Sequence, residues 1–165
     1  MNIELETLSL VKYNKDKYKK QAEELNSGIS SSKYIHQIKE RLELSSSNSI
    51  FQNGYIVLED DTPIGYLYIS SKINDEVFLE YSILKEYRNM GYASDLLNET
   101  TNYLFNNYNI KIIKLDIDPS NKSSILVALS NGYILDQEEY ESRNYIGKMK
   151  YIKENDYYVS KRKKY

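Results

Sequence analysis

The chain has 165 residues, no cysteine and a formal net charge of −2. That length suits one domain with a proper core, and the lack of cysteine excludes disulfides, thiolate metal sites and a cysteine nucleophile. The charge argues against a basic nucleic-acid-binding surface. The opening MNIELETLSL has no basic segment before an apolar run, and no run approaches a membrane span, so we expect a cytoplasmic protein with no nucleic-acid or membrane partner.

Ile3 to Val11 alternates and predicts a first strand. Asn14 to Leu25 is highly charged, with Tyr18, Ala22 and Leu25 on one face. It reads as a surface helix ended by Asn26-Ser27-Gly28. Ser30-Ser31-Ser32 offers an N-cap for a second helix whose buried stripe is Ile35, Ile38 and Leu42, and Ser45 to Ser49 forms a polar loop. The lone His36 falls on the polar side of that helix and reads as a solvated surface residue, or as a contact to substrate. Tyr55 to Glu59 and Ile64 to Ser70 form a hairpin across Asp60-Asp61-Thr62-Pro63.

After a turn at Asn74-Asp75, Val77 to Leu84 predicts a strand. Alternation places Val77, Leu79, Tyr81 and Ile83 on one face and Phe78, Glu80, Ser82 and Leu84 on the other. A helix starts near Tyr92, its apolar face repeating at Ala93, Leu96, Leu97, Thr100 and Leu104. Lys111 to Ile117 is a further strand stopped by Asp118-Pro119. Asn121 caps a short helix reaching Asn131, with Ile125, Ala128 and Leu129 inward and Gly132 at its C-terminal end. Tyr133 to Glu139 and Asn144 to Ile152 close the fold, and a basic tail, residues 153–165, is expected to fray into solvent. The order β-α-α-β-β-β-α-β-α-β-β implies a single α/β domain over residues 1–152. Its sheet is mixed, mostly antiparallel, and flanked by helices. The closing strands are candidates to pair across a homodimer.

Between the strand ending at Leu84 and the helix starting near Tyr92 lies Arg88-Asn89-Met90-Gly91-Tyr92-Ala93-Ser94. A glycine loop feeding a helix N-terminus presents backbone N–H groups and the positive end of a helix dipole, which suits a phosphate. The same residues also read as an ordinary turn with a glycine and a surface arginine.

Arg88-x-x-Gly91-x-Ala93 resembles the (Arg/Gln)-x-x-Gly-x-(Gly/Ala) loop of the GNAT family of acyl-CoA-dependent N-acetyltransferases. Ile83-Leu84-Lys85-Glu86-Tyr87 is similar to the family's strand end, without its proline. Asn121-x-x-Ser124 with Gly132-Tyr133 is similar to the family's Asn-x-x-(Ala/Ser) and Gly-Phe signatures. The resemblance covers about Tyr55 to Tyr151 and rests on element order alone over residues 1–54. It implies acetyl-CoA as cofactor. The pyrophosphate would be cradled by Asn89, Met90, Gly91, Tyr92, Ala93 and Ser94, with charge from Arg88. The pantetheine arm would lie against the backbone of Ile83, Leu84 and Lys85, where one N–H polarises the thioester carbonyl, and beside Asn121 and Ser124. Asn121 also reads simply as a helix cap, and the two roles are compatible.

Glu80 is the candidate catalytic base, because an amine must lose a proton to attack and a carboxylate can accept it directly or through water. The plainer reading pairs it with a lysine or with the amine as counter-ion. Many family members carry a tyrosine four residues before the closing glycine, where it protonates the leaving thiolate. Here that position is Ala128, as in a branch that acetylates protein N-termini. Tyr133, Tyr140 and Tyr145 are candidate substitutes or packing residues. The expected activity is transfer of an acetyl group from acetyl-CoA to a primary amine of a protein N-terminus, peptide or small metabolite, directly in a ternary complex. The alternatives are a non-catalytic acyl-CoA-binding module and an interaction protein with an empty loop.

Overall fold

The computed structural model describes residues 2–27, 37–43, 48–138 and 148–162. Ser30 to Ser32, Ile35, His36, Tyr140 and Tyr145 lie outside them. Among the described residues eight strands form one sheet in the order β1-β2-β3-β4-β5-β6-β8-β7. The strands are β1 (Ile3–Glu4), β2 (Ser9–Lys12), β3 (Asn53–Glu59), β4 (Thr62–Ile69), β5 (Glu76–Ile83), β6 (Ile112–Ile117), β7 (Ile134–Leu135) and β8 (Met149–Glu154). The helices are α1 (Lys15–Ser27), α2 (Gln37–Glu43), α3 (Tyr92–Asn107), α4 (Lys122–Ser130) and α5 (Asp156–Arg162). Among the described residues no helix is long and apolar enough to cross a membrane.

Helices cover both faces of the sheet. Tyr18, Ala22 and Leu25 of α1 pack with Ile38 and Leu42 of α2 against Ile56, Leu58, Tyr66 and Leu84. On the other face Leu96, Leu97 and Leu104 of α3 join Tyr55, Val57, Val77, Leu79, Ile113 and Ala128. Strand β3 is therefore buried on both sides, and its run Asn53 to Leu58 reads apolar nearly throughout. Gly54 lets α2 approach, since a Cβ there would stand 3.1 Å from the Arg41 carbonyl oxygen. Asn14 caps α1, its Oδ1 accepting from the N–H of Asp16 (2.9 Å) and of Lys17 (3.2 Å).

The expected first strand is two. Leu5 N–H donates to the Leu8 carbonyl at 2.9 Å, turning the chain back so that Ile3 faces Leu10. The buried Glu99 carboxylate of α3 accepts from the Thr7 N–H, the Thr7 hydroxyl and the Leu8 N–H, which fixes the turn to the helix. The hairpin turn tightens to Asp60-Asp61, with Asp60 at a φ of 50°, and Thr62 and Pro63 belong to β4. Leu129 is 49% exposed rather than inward, and Val127 lies half-buried. The strand expected from Tyr133 shrinks to Ile134–Leu135.

The tail does not leave β8 as a frayed end. Buried Asn155 donates its Nδ2 to the Ile110 carbonyl (3.0 Å) and its N–H to the Lys111 carbonyl (2.8 Å). Its Oδ1 accepts from Tyr157 N–H at 3.2 Å, and α5 follows.

Candidate active site

The site begins where β5 loses a partner. Strands β5 and β6 run parallel and pair over Glu76–Phe78 against Ile112–Lys114. Lys114 and Glu76 form an ion pair at 3.1 Å across that join. Beyond Phe78, β5 continues on β4 alone, through Leu79–Ile69 to Ile83–Gly65, while β6 continues on β8. The two strands diverge and leave a V-shaped gap.

Gly65 brings β4 and β5 together at the wide end of this gap. A Cβ on it would meet the Ser82 carbonyl oxygen at 2.5 Å. A short 3-10 turn, Lys85–Tyr87, then leads to the loop. Asn89 (φ 62°) and Gly91 (φ 86°) both take left-handed backbone, which curls the N–H groups around one hollow. Gly91 precedes α3, and no side chain caps the helix. The first N–H groups of a helix have no intrahelical acceptor, so Tyr92, Ala93 and Ser94 present theirs to that hollow, with the positive end of the helix dipole behind them. A Cβ added at Gly91 meets nothing within 4 Å, so the approach is open.

Gap and loop share one cavity of about 490 Å³. Among the residues named from sequence, Ile83, Arg88, Asn89, Gly91, Tyr92, Ala93, Ser94, Asn121 and Ser124 line it. Leu84 does not. Its side chain packs against the α1–α2 layer, and its N–H donates to the Ile64 carbonyl at 2.9 Å. Lys85 is exposed, and its carbonyl accepts from Arg88 N–H at 3.3 Å. Met90 is 62% exposed and also stands outside the lining.

Sequence reasoning missed Tyr81, Ser82, Tyr87, Ser123 and Val127, which complete the walls. Ser123 and Val127 stand four apart in α4 beside Ser124, so helical spacing from Asn121 held a usable signal. Alternation places Tyr81 on one face with Val77, Leu79 and Ile83, and nothing local marks where β6 departs.

Several contacts set the walls. Arg88 Nε donates to the Ile83 carbonyl at 3.0 Å, tying the loop to the strand end. Tyr92 donates its hydroxyl to Glu59 at 2.8 Å, and that carboxylate pushes the Tyr92 pKa up. Asn131 Nδ2 donates to Ser94 Oγ at 3.1 Å, linking the end of α4 to the start of α3. Asn121 is the N-cap of α4, its Oδ1 accepting from Ser124 N–H at 3.2 Å. Asn121 lines the cavity, and its amide nitrogen retains donor capacity beside that cap.

Glu80 lies on the opposite face of β5 from Tyr81 and pairs with Arg41 of α2. The two side chains are about a third exposed, at 32% and 30%. The Arg41 guanidinium also stacks over the Tyr68 ring, 4.5 Å from its centroid. Burial works to lower the Arg41 pKa, but the Glu80 carboxylate and the Tyr66 hydroxyl together outweigh it and hold the net value up. Tyr133 is no free donor. It is buried, and its hydroxyl shares a 2.7 Å hydrogen bond with Thr101. Burial drives its pKa far up, against a smaller lowering by Thr101.

An open strand edge beside an uncapped helix N-terminus is a fold-level signature, and the comparisons agree with it. Residues 12–134, about three quarters of the chain, match the Acetyltransferase (GNAT) domain family. The chain belongs to the GNAT acetyltransferase family. Enzymes of this family use acetyl-CoA as acetyl donor. No curated protein matches the sequence. Among solved structures, a GNAT-family acetyltransferase from Bacillus anthracis superposes with a TM-score of 0.66 at 14% identity, covering 94% of this chain and 99% of that one. RimL, a ribosomal L7/L12 alpha-N-protein acetyltransferase in complex with coenzyme A, gives 0.68 at 16% identity over 94% and 99%. A spermidine N-acetyltransferase SpeG chimera from Vibrio cholerae and hSSAT gives 0.67 at 14% over 93% and 99%. At such identities the likeness is one of fold, and the GNAT fold accounts for the diverging β5 and β6 as well as the loop ahead of α3.

Proposed function

We propose that the chain is an N-acetyltransferase that moves an acetyl group from acetyl-CoA to a primary amine, directly and within a ternary complex. The observation that carries this reading is the gap between β5 and β6, continuous with the hollow at the start of α3. The residues present fit the donor. Uncapped N–H groups at Tyr92, Ala93 and Ser94, with the left-handed pair Asn89 and Gly91, suit a pyrophosphate. Arg88 adds positive charge at the rim. The unpaired edge of β5 at Tyr81 to Ile83 offers backbone groups to the amide-bearing arm, and Asn121 and Ser124 face it from α4.

The thioester supplies an activated acetyl group. The protein must orient the amine, accept its proton and exclude water. Glu80 is the proposed proton acceptor, reached directly or through a water. Its pairing with Arg41 fixes the carboxylate in place, and each partner stays partly exposed to an entering amine. With no cysteine in the chain, direct attack by the amine needs no acyl-enzyme. The neighbours' substrates, a protein N-terminus and spermidine, make both peptide and polyamine acceptors reasonable first trials.

The Arg41–Glu80 pair, with Ala128 in place of a donor on α4, supports a second reading, a non-catalytic acyl-CoA-binding module. Calorimetric titration of acetyl-CoA against the wild type and Gly91→Asp tests the shared premise. Binding by the wild type, weakened by the added carboxylate, is expected, and a wild type that binds no acetyl-CoA ends both readings. Free-thiol release on a panel of amines then separates them. Turnover lost in Glu80→Gln with acetyl-CoA binding intact supports the transferase, and Glu80→Gln turning over like wild type removes Glu80 from the chemistry.

A further inference from the structure

The β6 bank of the gap carries a carboxylate that the contacts so far leave unused. Strand β6 turns Ile113, Leu115 and Ile117 into the core beneath α3. By alternation Lys114 and Asp116 face the other side of the sheet, where Glu80 also lies. Phe78 and Lys114 are the last pair of the β5–β6 ladder. Two residues further along each strand, Glu80 and Asp116 stand on that same face, on opposite banks of the opening gap. Asp116 is exposed, and among the described residues it has no ion-pair partner, although aspartate is disfavoured inside strands. Its cross-strand partner on β8 is Lys150, an opposite charge that would stabilise the sheet by closing onto it. The Lys150 ammonium lies instead over the Phe78 ring, 5.2 Å from its centroid. Of the other charges on this face, Glu80 pairs with Arg41 and Lys114 with Glu76. Asp116 is thus a carboxylate at the gap whose charge no ion pair offsets.

We infer that Asp116 receives the acceptor amine in its protonated form, so that the site selects strongly basic aliphatic amines over weakly basic ones. This rests on the acetyl-transfer reading above and names the kind of amine it acts on. An aliphatic amine such as that of lysine keeps its proton up to about pH 10, so near neutrality it arrives as an ammonium. At Glu80 it meets a carboxylate that Arg41 already neutralises. At Asp116 it meets one that no guanidinium or ammonium holds. An arm that enters beside Gly91 and runs along the open edge of β5 brings its thioester toward the narrow end of the V, between these two banks. An ammonium held by Asp116 therefore waits on the acceptor side of the thioester, with Glu80 on the opposite bank to take the proton. Asp116 is a specificity-determining residue, which binds and orients the amine and leaves the proton transfer to Glu80.

The test needs no knowledge of the acceptor. S-aminoethyl-coenzyme A carries an ammonium close to where the attacking nitrogen stands, and S-hydroxyethyl-coenzyme A is its neutral counterpart. Each is titrated calorimetrically at about pH 7 and low salt into wild type, Asp116→Asn and Glu6→Gln. Glu6 is an exposed carboxylate in the turn between β1 and β2, at the far edge of the sheet. In the wild type the aminoethyl derivative should bind roughly three- to fivefold more tightly than the hydroxyethyl one, the size of one exposed ion pair. Asp116→Asn should lose that preference while it melts, and binds the hydroxyethyl derivative, as the wild type does. Glu6→Gln should keep the preference. A preference that survives in Asp116→Asn overturns the inference, as does a wild type that shows none. Equal loss in Glu6→Gln would trace the effect to net charge and overturn it too. If the wild type binds neither derivative, the acyl-CoA reading falls first, so the two failures are told apart.

Discussion

Replacing Gly65 by alanine should damage the molecule through contact, whereas the same change at Gly91 should act through the ligand. At Gly65 a new Cβ stands 2.5 Å from the Ser82 carbonyl oxygen and 3.3 Å from the Ile83 Cα. Both neighbours are backbone, so neither yields by a rotamer change, and β4 must move away from β5 beside the cavity. Overpacking of this kind costs about 1–3 kcal/mol. For a chain of this length each kcal/mol lowers the midpoint by about 2–4 °C, so Gly65→Ala should melt roughly 2–12 °C below wild type. At Gly91 the Cβ meets nothing within 4 Å. The φ of 86° costs an alanine about 1–2 kcal/mol, offset by about 0.4–1 kcal/mol of lost unfolded-state freedom. Thermal unfolding by circular dichroism, with calorimetric titration of coenzyme A, separates the effects. Gly91→Ala should lose more affinity than stability, because Gly91 belongs to the loop that lines the cavity and its Cβ meets no protein atom. If Gly65→Ala melts within about 1 °C of wild type, the close approach of β4 and β5 is not what the structure describes, and the reasoning fails.

Glu99→Ala strips the acceptor from the Thr7 and Leu8 donors in a buried turn. It should cost about 1–3 kcal/mol in denaturant unfolding, with exchange fastest at Thr7 and Leu8. Arg41→Ala removes the partner of Glu80, yet both groups are about a third exposed. Stability should change by less than about 1 kcal/mol, and a larger loss in the same assay would mean that the pair holds α2 in place. Asn155→Ala removes the cap of α5 and the tie to Ile110, so helical signal should fall by about the length of α5 at a cost of about 1–2 kcal/mol. Alkali should destabilise the fold. Burial holds the Tyr81 proton to about 12, whereas an unfolded phenol loses its proton near 10, roughly. Above the lower value the unfolded state binds fewer protons, so stability falls as pH rises through that window. Buried Tyr55, Tyr66 and Tyr133 push the same way. A denaturant midpoint that stays flat between about pH 9 and pH 11 contradicts this.

Much of the fold was legible because its signals are local. The 3.6-residue repeat of α3, Asn121 as the α4 cap and Gly132 at φ 82° each follow from side chains a few positions apart. The turn inside residues 3–11 was not legible, because its decisive partner is Glu99, more than ninety positions away. The tail misled for a similar reason, since its charge suggested solvent while Asn155 reaches back to Ile110. In the site, the loop residues read well because a glycine and a helix start are sequence features. The strand residues read less well. Where β5 stops pairing with β6 is a property of the sheet, so the open edge at Tyr81 and Ser82 went unread and Leu84 looked available. Glu80 was marked by its polarity on a buried strand, but its partner Arg41 lies on a helix named only for its apolar stripe.

The short seam between β5 and β6 has a thermodynamic consequence. Among the described residues three pairs join β5 to β6 there, so the backbone ladder between β1–β5 and β6–β8 is short, although one hydrophobic core underlies both. A molecule bound along the gap occupies both sides and contributes stitches the backbone leaves out. Ligand binding then shifts unfolding by mass action, and the gain is delivered at the weakest join. Amide exchange at residues 79–83 and 115–117 should slow more on cofactor addition than exchange within β3, which is already paired and covered on both sides. Saturation with cofactor would thereby reinforce the join at which the backbone ladder is shortest.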